Sequence, residues 1–304
     1  MYIATNDLTG DDRGVLRVLP MQLVKYLCRI SLDGMQELKL ISGKPLSVRF
    51  SDGVFYVTEK GMLSRHPLGA VRVTDAQMTE LLERVTRSSL YSVKDEIKNG
   101  YITIEGGHRI GLAGTAVTEN GSVEFIKNIS AMNIRRATEV IGAADSVIPH
   151  IDQSPVKSAL IISPPCGGKT TMLRDIARSL SHSGHSVGIA DERCEIAAMY
   201  NGRSPFDLGN LTTVLDNCPK AQGMLMLLRS MSPEVIITDE IGSAEECEAI
   251  QSIMNSGVAV IASVHGRNAE GLMKRTHLSR LVPMFDTLIT LSQKPGKIAE
   301  IRDA

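Results

Sequence analysis

The sequence predicts an α/β core of parallel strands and crossover helices in its C-terminal half, preceded by a smaller α+β domain. Three observations lead there. From Lys157 onward, short β-rich runs alternate with helical stretches at 158–163, 168–182, 186–190, 219–231, 234–238, 244–255 and 258–264, the order that builds a parallel sheet. Within that half, the apolar run Ala159-Leu160-Ile161-Ile162 feeds Ser163-Pro164-Pro165-Cys166-Gly167-Gly168-Lys169-Thr170-Thr171 and then an amphipathic segment to Leu180. That is strand, Gly-rich loop and helix. The first half instead carries hairpin signals at Asp52-Gly53, Gly106-Gly107 and Asn120-Gly121.

Taken in order, the first dozen residues are polar and read as mobile. Pro20 opens a helix to about Arg29. Residues 37–42, 46–50 and 54–58 read as strands. Thr74 and Gln77 form a capping box for a helix to about Arg87, and a second helix runs from Leu90 to Asn99, stopped by Gly100. Strands follow at 101–105, 108–117, 123–127 and about 130–135. The stretch from Gly142 to Pro155 is rich in small residues and marks a boundary region, so the domains are set at 1–140 and 141–304. In the second, Pro219 starts a helix and Ser243 with Glu246 makes another capping box. A hairpin around Pro295-Gly296 ends the chain, with arms at 286–292 and 297–302.

With 304 residues and 43% hydrophobic content, two sizeable cores can form. A formal charge of −1, no Trp and few aromatics argue against a nucleic-acid binder. Five scattered cysteines without a CxxC argue against a disulfide framework and against structural zinc. The start of the chain lacks a basic segment followed by an apolar one, and no apolar run nears the ~20 residues of a spanning helix. The expectation is a soluble protein.

The Gly-rich loop carries the chemistry. Small residues let backbone N–H groups converge on phosphate oxygens at a helix start. Lys169 adds a point charge for the β- and γ-phosphates, and the Thr170 hydroxyl suits Mg²⁺. Residues 163–171 are therefore the candidate nucleotide-binding loop. Ser163 stands where the P-loop pattern has Gly, which requires either an ordinary or a strained backbone there. Further on, Val235-Ile236-Ile237-Thr238 delivers Asp239 and Glu240 at a strand end, the first as a candidate Mg²⁺ ligand and the second to orient or deprotonate water. Asp191-Glu192-Arg193 and Ser263-Val264-His265 end two other strands, on the edge that faces the nucleotide in a parallel sheet. Glu192 and His265 are candidate catalytic residues, though a solvated turn and a structural histidine fit as well. Arg109, Arg135, Arg136, Arg193 and Arg229 are candidates for a transition-state cation, with a surface role as the alternative for each.

The motifs together resemble the stage III sporulation protein AA family of endospore-forming bacteria, relatives of the type II and type IV secretion ATPases. The resemblance spans the chain from about Leu38. It rests on Tyr101 to Gly111, Ile134-Arg135, the loop with Thr-Thr-x-Leu-Arg-Asp, Asp191 to Ile196, Leu215 to Ala221 and Arg229 to Gly242. It implies a RecA-like P-loop ATPase core, ATP and Mg²⁺ as ligands, and a homo-oligomeric ring of six. It also implies membrane-protein partners in a channel between mother cell and forespore, and a cytoplasmic location peripheral to the membrane on the mother-cell side. The segment 191–195 matches the relatives' acidic box and Val264-His265 their histidine box. Loops of those relatives read Gly-Pro-Pro-Gly-Cys-Gly-Lys-Thr, so Ser163, Cys166 and Gly167 depart from the pattern. Two other readings remain at this level: a nucleotide-gated scaffold with little turnover, and a nucleic-acid motor.

Overall fold

The structure is a computed structural model that describes residues 13–86, 94–98, 100–119, 121–165 and 167–303. The expectations for the first dozen residues, for much of a 90–99 helix, and for Asn120 and Cys166 lie outside those residues. The chain divides into two compact units, with the break between Ala137 and Thr138.

The first unit begins with helices α1 (Arg13–Val18) and α2 (Met21–Leu27). Strands β1 (Glu37–Ile41), β2 (Ser47–Phe50), β3 (Gly53–Val57) and β4 (Leu63–Ser64) follow. Next come α3 (Asp75–Thr86), α4 (Lys94–Lys98), β5 (Tyr101–Thr103), β6 (Arg109–Glu119) and β7 (Ser122–Arg135). The strands form one antiparallel sheet in the order β4-β3-β2-β1-β7-β6-β5. Helical and strand residues share a single core that includes Leu19, Leu23, Leu38, Leu81, Ile110 and Ile134. The capping box at the start of α3 forms as expected: Gln77 N–H donates to Thr74 Oγ1 at 3.3 Å and Thr74 N–H to Gln77 Oε1 at 3.0 Å. The two strands expected at 123–127 and 130–135 are one. Asn128 takes a left-handed φ of 49° inside β7, and the pairing with β6 shifts register between Ala113 and Thr115. The chain bulges there rather than turning.

The second unit contains α5 (Ile148–Ile151), β8 (Ala159–Ser163), α6 (Lys169–His182), β9 (Val187–Asp191), β10 (Thr212–Asp216) and α7 (Lys220–Met231). It continues with β11 (Val235–Thr238), α8 (Ala244–Asn255), β12 (Ala259–His265), α9 (Ala269–Leu272), α10 (Leu278–Leu281), β13 (Thr287–Leu291) and β14 (Ile298–Asp303). The sheet order is β10-β9-β11-β12-β8-β13-β14, parallel except for the last strand. Period-2 alternation sorts the strand residues onto two buried faces. Ile161, Ile189, Ile237 and Ile261 pack with Leu173, Ile176 and Leu180 of α6. Leu160, Ile162, Ile236 and Val260 pack with Met224 and Leu227 of α7 and Ile250 and Ile253 of α8. Strand β12 lies between the loop strand β8 and the acidic strand β11. The parallel register therefore gathers Ser163, His265, Asp239 and Asp191 at one sheet edge.

Candidate nucleotide-binding site

The loop after β8 is built for close approach. Gly168 is the N-cap of α6 at φ 96°, a left-handed conformation that favours glycine. A Cβ there would lie 2.9 Å from Gly296 N, and Gly296 N–H donates to Gly167 O at 3.0 Å. The turn between β13 and β14 thus rests directly on the loop. Ser163 is fully buried within β8 and lies outside the left-handed region, so its backbone is ordinary. Its Oγ occupies the space that a Cβ on Gly167 would need. Ser163 and Gly167 are two departures from the loop pattern that fit each other.

Lys169 opens α6 and is almost fully buried. Its Nζ is 3.2 Å from His265 Nδ1 and 3.5 Å from Glu240 Oε1. His265 Nε2 is 2.9 Å from Glu240 Oε1. The two ring nitrogens thus face opposite partners, Nδ1 the Lys169 ammonium and Nε2 the Glu240 carboxylate. Burial raises the Glu240 carboxyl, but His265 and Lys169 outweigh it and hold it below the ordinary glutamate value. Glu240 has φ 40°, its N–H donates to Ser263 Oγ at 3.0 Å, and its carbonyl accepts from Lys220 Nζ at 3.1 Å. A non-glycine residue held in this region stores strain, a frequent mark of functional positions.

Asp239 is 1% exposed, and burial pushes its carboxyl up to about 6 against the opposing pull of Lys220. Its Oδ1 is buried without a hydrogen bond and has Lys220 Nζ at 3.4 Å. With the Thr170 hydroxyl at the start of α6, a buried carboxylate oxygen that accepts no hydrogen bond suits a hard divalent cation such as Mg²⁺. Asp191 is differently employed. Both its oxygens are taken, by Glu195 N–H and Ala197 N–H at 2.8 Å each, and burial raises its carboxyl despite them.

Lys169, Glu240 and His265 therefore meet in one cluster. Glu192, at the end of β9, makes no ion pair or hydrogen bond among the described residues with that cluster. Of the five arginines, Arg193 reaches it, with Nη1 4.0 Å from Glu240 Oε2. Arg109 lies over the Tyr101 ring at 4.0 Å, Arg135 pairs with Glu37 at 3.5 Å, and Arg136 donates to Leu32 O at 3.1 Å. Arg229 is exposed in the last turn of α7. Lys220, Ser263 and Arg174 also contribute, although the sequence reading gave none of them a role of its own at the site. Arg174 Nε, Nη1 and Nη2 donate to Ile196 O, Thr138 O and Glu195 O at 2.6, 2.6 and 2.8 Å, and its guanidinium stacks 3.9 Å over Phe206. Burial lowers its pKa to about 10, so it stays charged at neutral pH. It fixes the acidic segment to the loop helix. Spacing could have suggested it, since Lys169 and Arg174 share α6.

A model of the family described as sporulation stage III, protein AA, matches residues 11–304. The chain belongs to this family. The stage III sporulation protein AA of Bacillus subtilis (strain 168) is 45% identical over 233 residues, covering 73% of this chain and 76% of that protein. Among solved structures, the ATPase DotB of Legionella pneumophila matches with a TM-score of 0.59 at 17% identity, covering 90% of this chain and 76% of that one. The pilus retraction motor PilT, solved with bound ADP, matches at 0.57 and 16% identity, over 88% and 76%. These likenesses show the fold, a RecA-like α/β core that follows the α+β unit in the chain. No helix among the described residues is long and apolar enough to cross a membrane.

Proposed function

We propose that this chain is an ATPase that hydrolyses ATP to ADP and phosphate and works as a homo-oligomeric ring, of six subunits by analogy with secretion ATPases. It would drive or gate transport or assembly at a channel between mother cell and forespore, docked on membrane proteins from the cytoplasmic, mother-cell side. The observation that carries the reading is the ion pair between Lys169 and Glu240, 3.5 Å apart across the mouth of the Gly-rich loop. It sets a phosphate-binding cation and a water-positioning carboxylate face to face at one sheet edge.

The residues divide the work as follows. The N–H groups of Gly168 and of the start of α6 would cradle the phosphates. Lys169 leaves Glu240 for the β- and γ-phosphates, which frees the Glu240 carboxylate to orient water. Thr170 and Asp239 would hold Mg²⁺, which would supply positive charge beside the transferring phosphoryl group. His265 links Lys169 to Glu240 and reports on that exchange, while Asp191 shapes the acidic segment through its amides. Arg193 is the cation in this unit nearest the reacting position. The scaffold reading was motivated by Ser163 standing in place of glycine; its backbone is ordinary, and phosphate release decides between the two readings.

The test is phosphate release from the wild type beside Lys169→Ala and Glu240→Gln. Lys169→Ala is expected to lose nucleotide binding and turnover. Glu240→Gln keeps binding and loses turnover by on the order of 100-fold or more. Equal rates in all three proteins would remove these roles.

A further inference from the structure

Lys220 breaks a local rule. It occupies the first turn of α7, after the N-cap Pro219, where the helix macrodipole disfavours a cation. It is also 6% exposed, although lysine is almost never buried unless paired. Such a conflict between local preference and placement points to a functional constraint. Three groups answer it: Glu240 O at 3.1 Å, Asp239 Oδ1 at 3.4 Å and Glu246 Oε1 at 4.0 Å. Asp191 and Glu195 add further negative charge around Asp239.

We propose that Lys220 is a positioning residue of the nucleotide site: an internal cation that fixes the Asp239–Glu240 pair and supplies positive charge beside Asp239 before a metal arrives. The two effects have separate origins. The first is geometric. Glu240 is held at φ 40° by bonds on both sides of its peptide, Ser263 Oγ on the N–H and Lys220 Nζ on the carbonyl. That clamp aims the carboxylate at Lys169 and His265. The second is electrostatic. An ammonium 3.4 Å from Asp239 Oδ1 compensates a buried carboxylate and at the same time opposes a second cation at that oxygen. Lys220 therefore sets metal affinity at a moderate level and secures turnover geometry.

The inference rests on the ATPase reading, and its test separates the two. Purified Lys220→Met, Lys220→Gln and wild type are compared for Mn²⁺ affinity in the presence of a non-hydrolysable ATP analogue, and for kcat and KM with ATP·Mg²⁺. Removing the charge is expected to tighten Mn²⁺ at least about tenfold in both variants. In Lys220→Met, kcat falls on the order of 100-fold while KM stays within about threefold. Lys220→Gln keeps a donor for the Glu240 carbonyl and loses less turnover than Lys220→Met. A residue that only supported the fold would not tighten metal binding. Unchanged or weaker Mn²⁺ binding in a folded variant overturns the proposal. If Lys220→Met lacks a cooperative unfolding transition, Lys220→Gln decides by the same Mn²⁺ criterion. Absence of phosphate release from wild type overturns the hydrolysis reading alone, and the Mn²⁺ comparison then judges Lys220 by itself.

Discussion

The loop of this protein makes a specific demand on two positions at once. Where secretion-ATPase loops carry glycine, this chain has Ser163, and where they carry cysteine it has Gly167. A Cβ placed on Gly167 would overlap Ser163 Oγ, whereas its next neighbours, Pro164 O at 3.2 Å and Ser163 Cβ at 3.5 Å, leave room with only slight adjustment. The clash therefore belongs almost wholly to one hydroxyl. Gly167→Ala forces the fully buried Ser163 out of its place, and overpacking of this kind costs about 1–3 kcal/mol. Ser163→Gly costs about 0.5–1 kcal/mol from backbone freedom in a strand, and it clears the space. In the double variant the overpacking cost disappears, so the coupling energy should be at least about 1 kcal/mol and favourable. Urea unfolding of the four proteins, followed by nucleotide titration, measures it. The double variant is expected to bind nucleotide like the wild type, and Gly167→Ala alone to bind it more weakly. Additive effects, or Gly167→Ala within about 0.5 kcal/mol of wild type, would refute the reasoning.

Other outcomes follow from single contacts. His185 bridges Asp152 and Glu234, at 2.9 and 2.7 Å; burial lowers its pKa, but the two carboxylates outweigh that and raise it above the ordinary histidine value. A raised histidine contributes stability that is complete below the unfolded value and lost as pH rises through the folded one. The urea midpoint should therefore decline as pH climbs above about 6.5, and His185→Gln should flatten that decline. Arg174→Met strands three backbone carbonyls and removes the stack on Phe206; a loss of about 3 kcal/mol or more is expected by chemical denaturation. Ser243→Ala breaks the reciprocal cap of α8 and should cost about 1 kcal/mol while leaving the nucleotide affinity unchanged.

Much of this was legible because local signals and tertiary needs coincide. The loop strand is a run of buried apolar residues, the glycines sit where backbones approach, and Ser243 with Glu246 forms the expected reciprocal cap. The site edge was legible for the same reason, since parallel strands deliver their carboxyl ends together. What escaped did so on physical grounds. Lys220 lies in the Leu215–Ala221 motif, but nothing local in the sequence gives it a partner, and only the approach of α7 to the end of β11 buries it against Asp239. Strand β10 is a sheet edge whose residues are mostly half-buried, so its apolar pattern is weak and the alternation of strands and helices passed over it. The gap expected between strands at 123–127 and 130–135 falls on Asn128, and since asparagine tolerates left-handed φ the chain bulges there within a single β7. Glu192 and Asp191 share one acidic segment, and sequence alone does not tell which carboxylate turns inward to bind amides.

The most direct test of the central claim couples assembly to chemistry. The mass of the purified protein is measured with and without ATP·Mg²⁺, and phosphate release is followed in the same samples for the wild type and Glu240→Gln. The account predicts a nucleotide-dependent ring in both proteins, with phosphate released by the wild type and ATP retained by the variant. A wild type that binds no nucleotide, or a variant that releases phosphate as fast as the wild type, would contradict it.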